Sequence, residues 1–192
     1  MVTAFRALGR AGATEVCICC NTAHPFARSA AAAVCIPFLD MIVATAEAAL
    51  LHLRPSQKRP LWVGILSTDA TLEMGLYQEA LRDAALRLLG CADMVTVLLP
   101  GEESVRTVQD CILAIKAGAL DGVGERIEVE AKRLVAEGAQ CVITGCTELP
   151  VCFNEDSHPA FPTPIVSPVR TLAAAIVRRT QGRTVRTGPR LE

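Results

Sequence analysis

Gly12-Ala13-Thr14-Glu15-Val16-Cys17-Ile18-Cys19-Cys20 is echoed by Gly138-Ala139-Gln140-Cys141-Val142-Ile143-Thr144-Gly145-Cys146. Each passage opens Gly-Ala, continues through an apolar run and places a cysteine eight positions after the glycine, and the two cysteines, 20 and 146, stand 126 positions apart. A threonine follows each, in Cys20-Asn21-Thr22 and in Cys146-Thr147. Self-similarity at a constant offset is the mark of duplicated structural units. Two such units facing one another would set Cys20 and Cys146 on opposite walls of one cleft. That geometry suits chemistry needing one acid and one base on the two faces of a single carbon.

The echo extends outward. Pro37-Phe38-Leu39-Asp40 leads into an Ala-rich helical stretch, and Pro164-Ile165-Val166-Ser167-Pro168 leads into another. The second copy opens with Leu61-Trp62-Val63-Gly64-Ile65-Leu66-Ser67. At the same offset its counterpart would precede residue 1, so the first copy is expected to lack on the order of 65 residues if the units are equal.

Strand candidates lie at 14–20, 34–39, 61–67, 93–99, 140–145 and 163–166. They are apolar throughout rather than alternating, as in parallel sheets buried on both faces. Helical patterns separate them: 71–89, with Thr71 as N-cap and Gly90 as stop, 103–117, 121–137 opened by Asp121, and 168–180. Alternating elements give an α/β fold with right-handed crossovers, read as two pseudo-symmetric αβα halves around a central cleft, the first incomplete. Residues 1–55 would be the remnant of the first half, with the last helix (168–181) a candidate to pack on it. Residues 61–181 would form the second half, His52–Pro60 the linker, and 182–192 a flexible basic tail.

Composition narrows the partners. A net charge of −1 argues against nucleic acid and membrane surfaces. The tail arginines (Arg178, Arg179, Arg183, Arg186, Arg190) read as a solvated terminus. The apolar run from Ser29 to Leu39 is too short to span a bilayer, and no signal-peptide core opens the chain. Nine cysteines, an odd number, at irregular spacing point to reduced thiols and a cytoplasmic setting.

Ligands of open α/β sheets bind beyond the carboxyl ends of the strands. Three such ends carry hydroxyl or amide groups: Cys20-Asn21-Thr22-Ala23-His24, Ser67-Thr68-Asp69-Ala70-Thr71 and Cys146-Thr147-Glu148. Each precedes a helix start whose free N–H groups attract an anion such as a carboxylate. The same setting lowers a thiol's pKa from about 8.5. No Walker or GxGxxG loop is present, which speaks against a nucleotide. Zinc on Cys17, Cys19, Cys20 and His24 is disfavoured because strand alternation splits the cysteines between faces and no Cys-x-x-Cys occurs. Cys17, Cys19, Cys35, Cys91, Cys111, Cys141 and Cys152 read as small core hydrophobes. His24 reads as a capping or packing group.

The two cysteine passages resemble the paired signatures of the aspartate/glutamate racemase superfamily. Gly64-Ile65-Leu66-Ser67-Thr68-Asp69-Ala70-Thr71, followed by Gly75-Leu76-Tyr77, is similar to that family's mid-chain strand–loop–helix. The resemblance implies racemisation of an amino acid or dicarboxylate without pyridoxal phosphate, metal or other cofactor, with Cys20 and Cys146 as the acid/base pair. It implies that Asn21, Thr22, Thr71 and Thr147 bind the α-carboxylate, beside Thr68 at the same strand end. Lys116, in Ile115-Lys116-Ala117-Gly118, matches a family lysine that holds the side-chain carboxylate. Glu148 stands where glutamate racemases carry His, as in the aspartate racemase branch. The resemblance also implies an opening Gly-rich strand with an Asn- and Arg-bearing segment, which this sequence lacks. The alternatives are an inactive truncated member or isoform, a hydantoin racemase or a maleate isomerase. A homodimer is left open.

Overall fold

The computed structural model describes residues 1–53 and 60–183. Most of the proposed linker (54–59) and of the basic tail (184–192) lies outside the described residues. Four parallel strands form one sheet: β1 (Leu61–Ser67), β2 (Val95–Leu98), β3 (Cys141–Gly145) and β4 (Ile165–Val166), in the order β2-β1-β3-β4. The register pairs Ser67 with Gly145, so the two central strands finish side by side. Ser67 Oγ donates to the Gly145 carbonyl and ties the two ends together.

Helices cover both faces. On one side α3 (Met41–Leu53) and α5 (Leu76–Leu89) pack Ile42, Leu50, Tyr77 and Leu81 against Val63, Ile65 and Ile143. On the other, α6 (Glu102–Lys116) and α7 (Val123–Ala136) pack Val108, Ile112, Ile127 and Leu134 against Leu66 and Val142. This sandwich explains the uninterrupted apolar strands: each residue of β3 is buried. Fully burying one such aliphatic side chain contributes about 1.5–3 kcal/mol.

Around it, α1 (Val2–Arg10) and α2 (His24–Ala33) enclose a smaller cluster of Phe5, Val16, Ala27, Ala30 and Ala31. The last helix, Pro168–Arg183, packs Leu172 and Ala175 on Leu39 and Met41. Among the described residues no helix is long and apolar enough to cross a membrane.

Several expectations need correction. The strands expected at 14–20 and 34–39 reduce to one parallel bridge, Val16 with Phe38. Ile36 N bonds back to Ala31 O and Cys35 turns at φ 52°, so residues 34–36 close α2 instead of extending. The strand expected at 93–99 begins at Val95, after a 3₁₀ turn at Ala92–Met94, and 163–166 shortens to Ile165–Val166. The helix expected over 71–89 is two, α4 (Asp69–Glu73) and α5, because Gly75 turns left-handed at φ 64°. Thr68, not Thr71, caps α4: its Oγ1 accepts the Thr71 N–H at 3.2 Å. Gly122 rather than Asp121 caps α7. Cys19, Cys35 and Cys91 are exposed and Cys17 and Cys152 partly so, which leaves Cys111 and Cys141 as the core thiols of that set.

Candidate functional site

The expected site residues gather at the carboxyl ends of β1 and β3 and at the loop ahead of α2. Three hydroxyls form one cluster. Thr22 Oγ1 lies 2.9 Å from Thr71 Oγ1 and 3.4 Å from Thr68 Oγ1, and Thr68 Oγ1 donates to Thr71 Oγ1 at 2.9 Å. These contacts join the first cysteine passage to the end of β1. Asn21, 4% exposed, accepts the Tyr77 hydroxyl on Oδ1 at 2.6 Å. Its Nδ2 is shut from solvent with no acceptor in reach. A buried donor left unmade costs about 1–3 kcal/mol, which a ligand oxygen at that position would recover.

A second cluster surrounds Cys146. Its thiol donates to Glu148 Oε2 at 2.8 Å, Thr147 Oγ1 donates to the same oxygen at 3.1 Å, and Lys116 Nζ stands 3.7 Å from Glu148 Oε1. Burial, then the Glu148 carboxylate, push the Cys146 thiol up to about 12. The lowered thiol pKa expected from a helix N-terminus is therefore corrected for Cys146. The helix behind it, α8 (Leu149–Cys152), has four residues and little dipole, whereas the partly buried Glu148 carboxylate is a full like charge. Burial would raise Glu148, but the bonds from Cys146 and Thr147, with Lys116 nearby, hold its carboxyl below the usual range. At neutral pH this is a protonated thiol resting on a carboxylate.

Tyr77 lies between Asn21 and Gly145, the residue before Cys146, and is absent from the expected site. Its ring fills the space above Gly145, where an added Cβ would come within 2.8 Å of Cε2. Burial first, with contributions from nearby Cys146 and Asp40, raises its phenol well above the ordinary value, so it stays a donor. The signal is in the sequence: the chain's single tyrosine stands two residues after Gly75, and a buried phenol needs a polar partner.

His24 behaves as expected, as a structural group. It is fully buried, with Nδ1 bonded to the Cys20 carbonyl at 2.7 Å and Nε2 accepting the Met41 N–H at 3.1 Å. Both nitrogens are thereby committed, in the neutral tautomer that donates from Nδ1. Beneath it, Asp40 caps α3 through Val43 N (3.0 Å) and pairs with Arg28. Burial would raise Asp40, and those two bonds bring it below the usual range. This scaffold holds the half-buried Cys20 loop in place.

A cavity of about 400 Å³ opens beside Thr147, lined also by Pro150, Asn154, Ser167 and Arg170. The larger hollow between α3 and the last helix, lined by Asp40, Glu47, Arg178 and Arg179, holds neither cysteine. Among the described residues no group of three or more His, Cys, Asp or Glu side chains could hold a metal ion.

Residues 1–176 match the Asp/Glu/hydantoin racemase family. A candidate Asp/Glu racemase from Yersinia pestis is 26% identical, with a TM-score of 0.68 over 91% of this chain and 69% of that one. An aspartate racemase homologue from Pyrococcus horikoshii OT3 shares the fold at 23% identity, with a TM-score of 0.73 over 94% of this chain and 72% of that one. An uncharacterised protein from the region 3′ of pnlA in Pectobacterium carotovorum subsp. carotovorum is 29% identical over 94 residues. That match spans 49% of this chain and 57% of the relative.

Proposed function

The chain belongs to the Asp/Glu/hydantoin racemase family, and from that premise we propose that it inverts the α-carbon of an acidic amino acid without a cofactor. Cys20 and Cys146 are the two acid/bases. The observation that carries this reading is the Cys146–Glu148 contact at 2.8 Å; beside it the Tyr77 ring packs at Gly145, the residue before Cys146, and the Tyr77 hydroxyl bonds to Asn21 of the Cys20 loop.

In one direction the Cys20 thiolate takes the α-proton, and the electron pair moves into the α-carboxylate system. Cys146, resting protonated, delivers its proton to the opposite face. The new Cys146 thiolate would sit against the Glu148 carboxylate, so Glu148 and Lys116 set how far that step runs. The pair shares its protons, and its apparent pKa values belong to both members. The unpartnered Asn21 Nδ2 offers a donor to the α-carboxylate, where negative charge grows, and the hydroxyls of Thr22, Thr68, Thr71 and Thr147 would turn from their present partners to join it. Lys116, half-exposed at the rim, suits a side-chain carboxylate.

The test is α-proton exchange in heavy water, with L- and D-aspartate and glutamate followed by NMR. Deuterium uptake with inversion, lost in both Cys20→Ala and Cys146→Ala, is the expected result. Uptake that survives either substitution overturns the two-base assignment. A second reading, a member that binds acidic amino acids without inverting them, is favoured by the lone Val16–Phe38 bridge beside Cys20. Saturable binding without any exchange would establish it.

A further inference from the structure

We infer that Tyr77 is a positioning residue that aims the Asn21 amide at the substrate's carboxylate. The inference rests on the proposed carboxylate-binding role of Asn21 and adds the group that makes that role possible.

A buried primary amide has two orientations of nearly equal shape, and only one presents N–H groups to an anion. In the other, the carbonyl oxygen would face the carboxylate and repel it. What decides between them is the neighbour on the far side. Here that neighbour is a phenol whose hydroxyl donates to Asn21 Oδ1 at 2.6 Å. Its burial keeps the proton on across the neutral range, so the oxygen side of the amide is claimed and the nitrogen side is left over. The leftover Nδ2 is buried and unpartnered.

The phenol itself has little freedom. Its ring lies against Gly145, the last residue of the strand that leads into Cys146, where a Cβ would come within 2.8 Å. Tyr77 therefore references the carboxylate donor to the strand that leads into one acid/base. Preorganised donors of this kind act where charge develops, because they need no rearrangement at the moment of reaction. The residue touches neither substrate nor the reacting proton in this account.

Tyr77→Phe keeps the ring and removes the hydroxyl. The experiment is a double-mutant cycle of Tyr77→Phe and Asn21→Ala, read as L-aspartate affinity by calorimetry. Loss of one such bond is expected to weaken binding about five- to tenfold in the Asn21 background. In the Asn21→Ala background Tyr77→Phe should change affinity less than about twofold, since no amide remains to aim. Equal weakening in both backgrounds, or none in the first, overturns the inference.

A second readout needs no ligand. The Asn21 side-chain amide pair, observed by ¹⁵N NMR, should rotate and exchange with solvent several-fold faster in Tyr77→Phe than in wild type. An amide signal indifferent to the substitution overturns the inference. A wild-type chain that binds no aspartate, but whose Asn21 amide is freed by Tyr77→Phe, would sink the proposed substrate class and leave the positioning role standing.

Discussion

The two cysteine passages begin alike and end differently. Gly12 and Gly138 both turn left-handed, at φ 93° and 113°, a conformation that favours glycine. Gly12 N bonds to Gly9 O and Ala13 N to Leu8 O, while Gly138 N bonds to Val135 O and Ala139 N to Leu134 O. The spacing is the same in both. Val16 N then bonds to Pro37 O at 2.9 Å, as Val142 N does to Pro164 O at 3.0 Å. Beyond that the passages part. Residues 141–145 form a central strand between β1 and β4. Among the described residues, 14–20 has one bridge and no strand on its other side. At repeat-equivalent positions Glu15, paired with Arg179, stands against buried Cys141, and exposed Cys19 against buried Gly145. The difference teaches that a short sequence sets a turn, whereas a strand exists only where neighbours bury it.

The largest expected effect tests that difference directly. Gly145→Ala would drive a methyl group toward the Tyr77 ring (2.8 Å) and Ser67 (3.1 Å). It should cost about 1–3 kcal/mol, as overpacking does, read as a lower urea midpoint at unchanged slope. Cys19→Ala, at the equivalent exposed position, should stay within about 0.5 kcal/mol. Equal costs at the two positions would break the comparison.

Next in size is the alkaline limb of stability. Cys141 and Cys146 are both pushed up to about 12 in the folded chain, chiefly by burial, from an ordinary value of 9.0. Above about pH 9 the unfolded chain releases protons that the folded chain keeps, so the unfolded state binds fewer and stability falls as pH rises. The contribution is full below pH 9 and is lost progressively toward 12. Cys141→Ala and Cys146→Ala should each flatten the fall of the urea midpoint over that window. Glu148→Gln removes the like charge beside Cys146 and should speed alkylation of that thiol at pH 9 several-fold, measured by mass spectrometry.

How much of this was legible follows the same line. β1 and β3 stood out because each residue of a doubly covered strand is apolar, and the helices of the second half because one face of each repeats. Of the nine expected site residues, Cys146, Thr147, Glu148 and Lys116 contact one another and Thr22, Thr68 and Thr71 form a separate cluster. Four features were not legible, because apolar periodicity gives neither side-chain direction nor spatial neighbours. The raised Cys146 thiol comes first from burial and then from a carboxylate two residues away, and the sequence gives neither the depth of the one nor the direction of the other. Tyr77 is separated from Asn21 by 56 positions. The break at Gly75 lay inside a helical pattern that apolar periodicity carried straight through. The lone bridge at Val16 depends on which strands lie beside it, and periodicity is blind to neighbours.

Two smaller effects probe what holds the first passage without a sheet. His24 is buried and neutral, its pKa lowered by burial against the opposing pull of the Cys20 carbonyl and Asp40. As pH falls below the ordinary value of 6.5 the unfolded chain takes up a proton that the folded chain resists, so stability falls with acidification. His24→Gln should remove that acid slope between about pH 6.5 and 5, whatever it costs at pH 7. Its counterpart in the second copy, Pro150, carries no such load. The smallest effect belongs to the Glu15–Arg179 pair, which links the first passage to the last helix. Arg179 is half-exposed, so solvent and salt screen the pair, and Arg179→Gln should cost less than about 1 kcal/mol and nothing at high salt. A larger, salt-independent cost in urea unfolding would mean that this contact, rather than the His24 and Tyr77 bonds, holds the Cys20 loop in place.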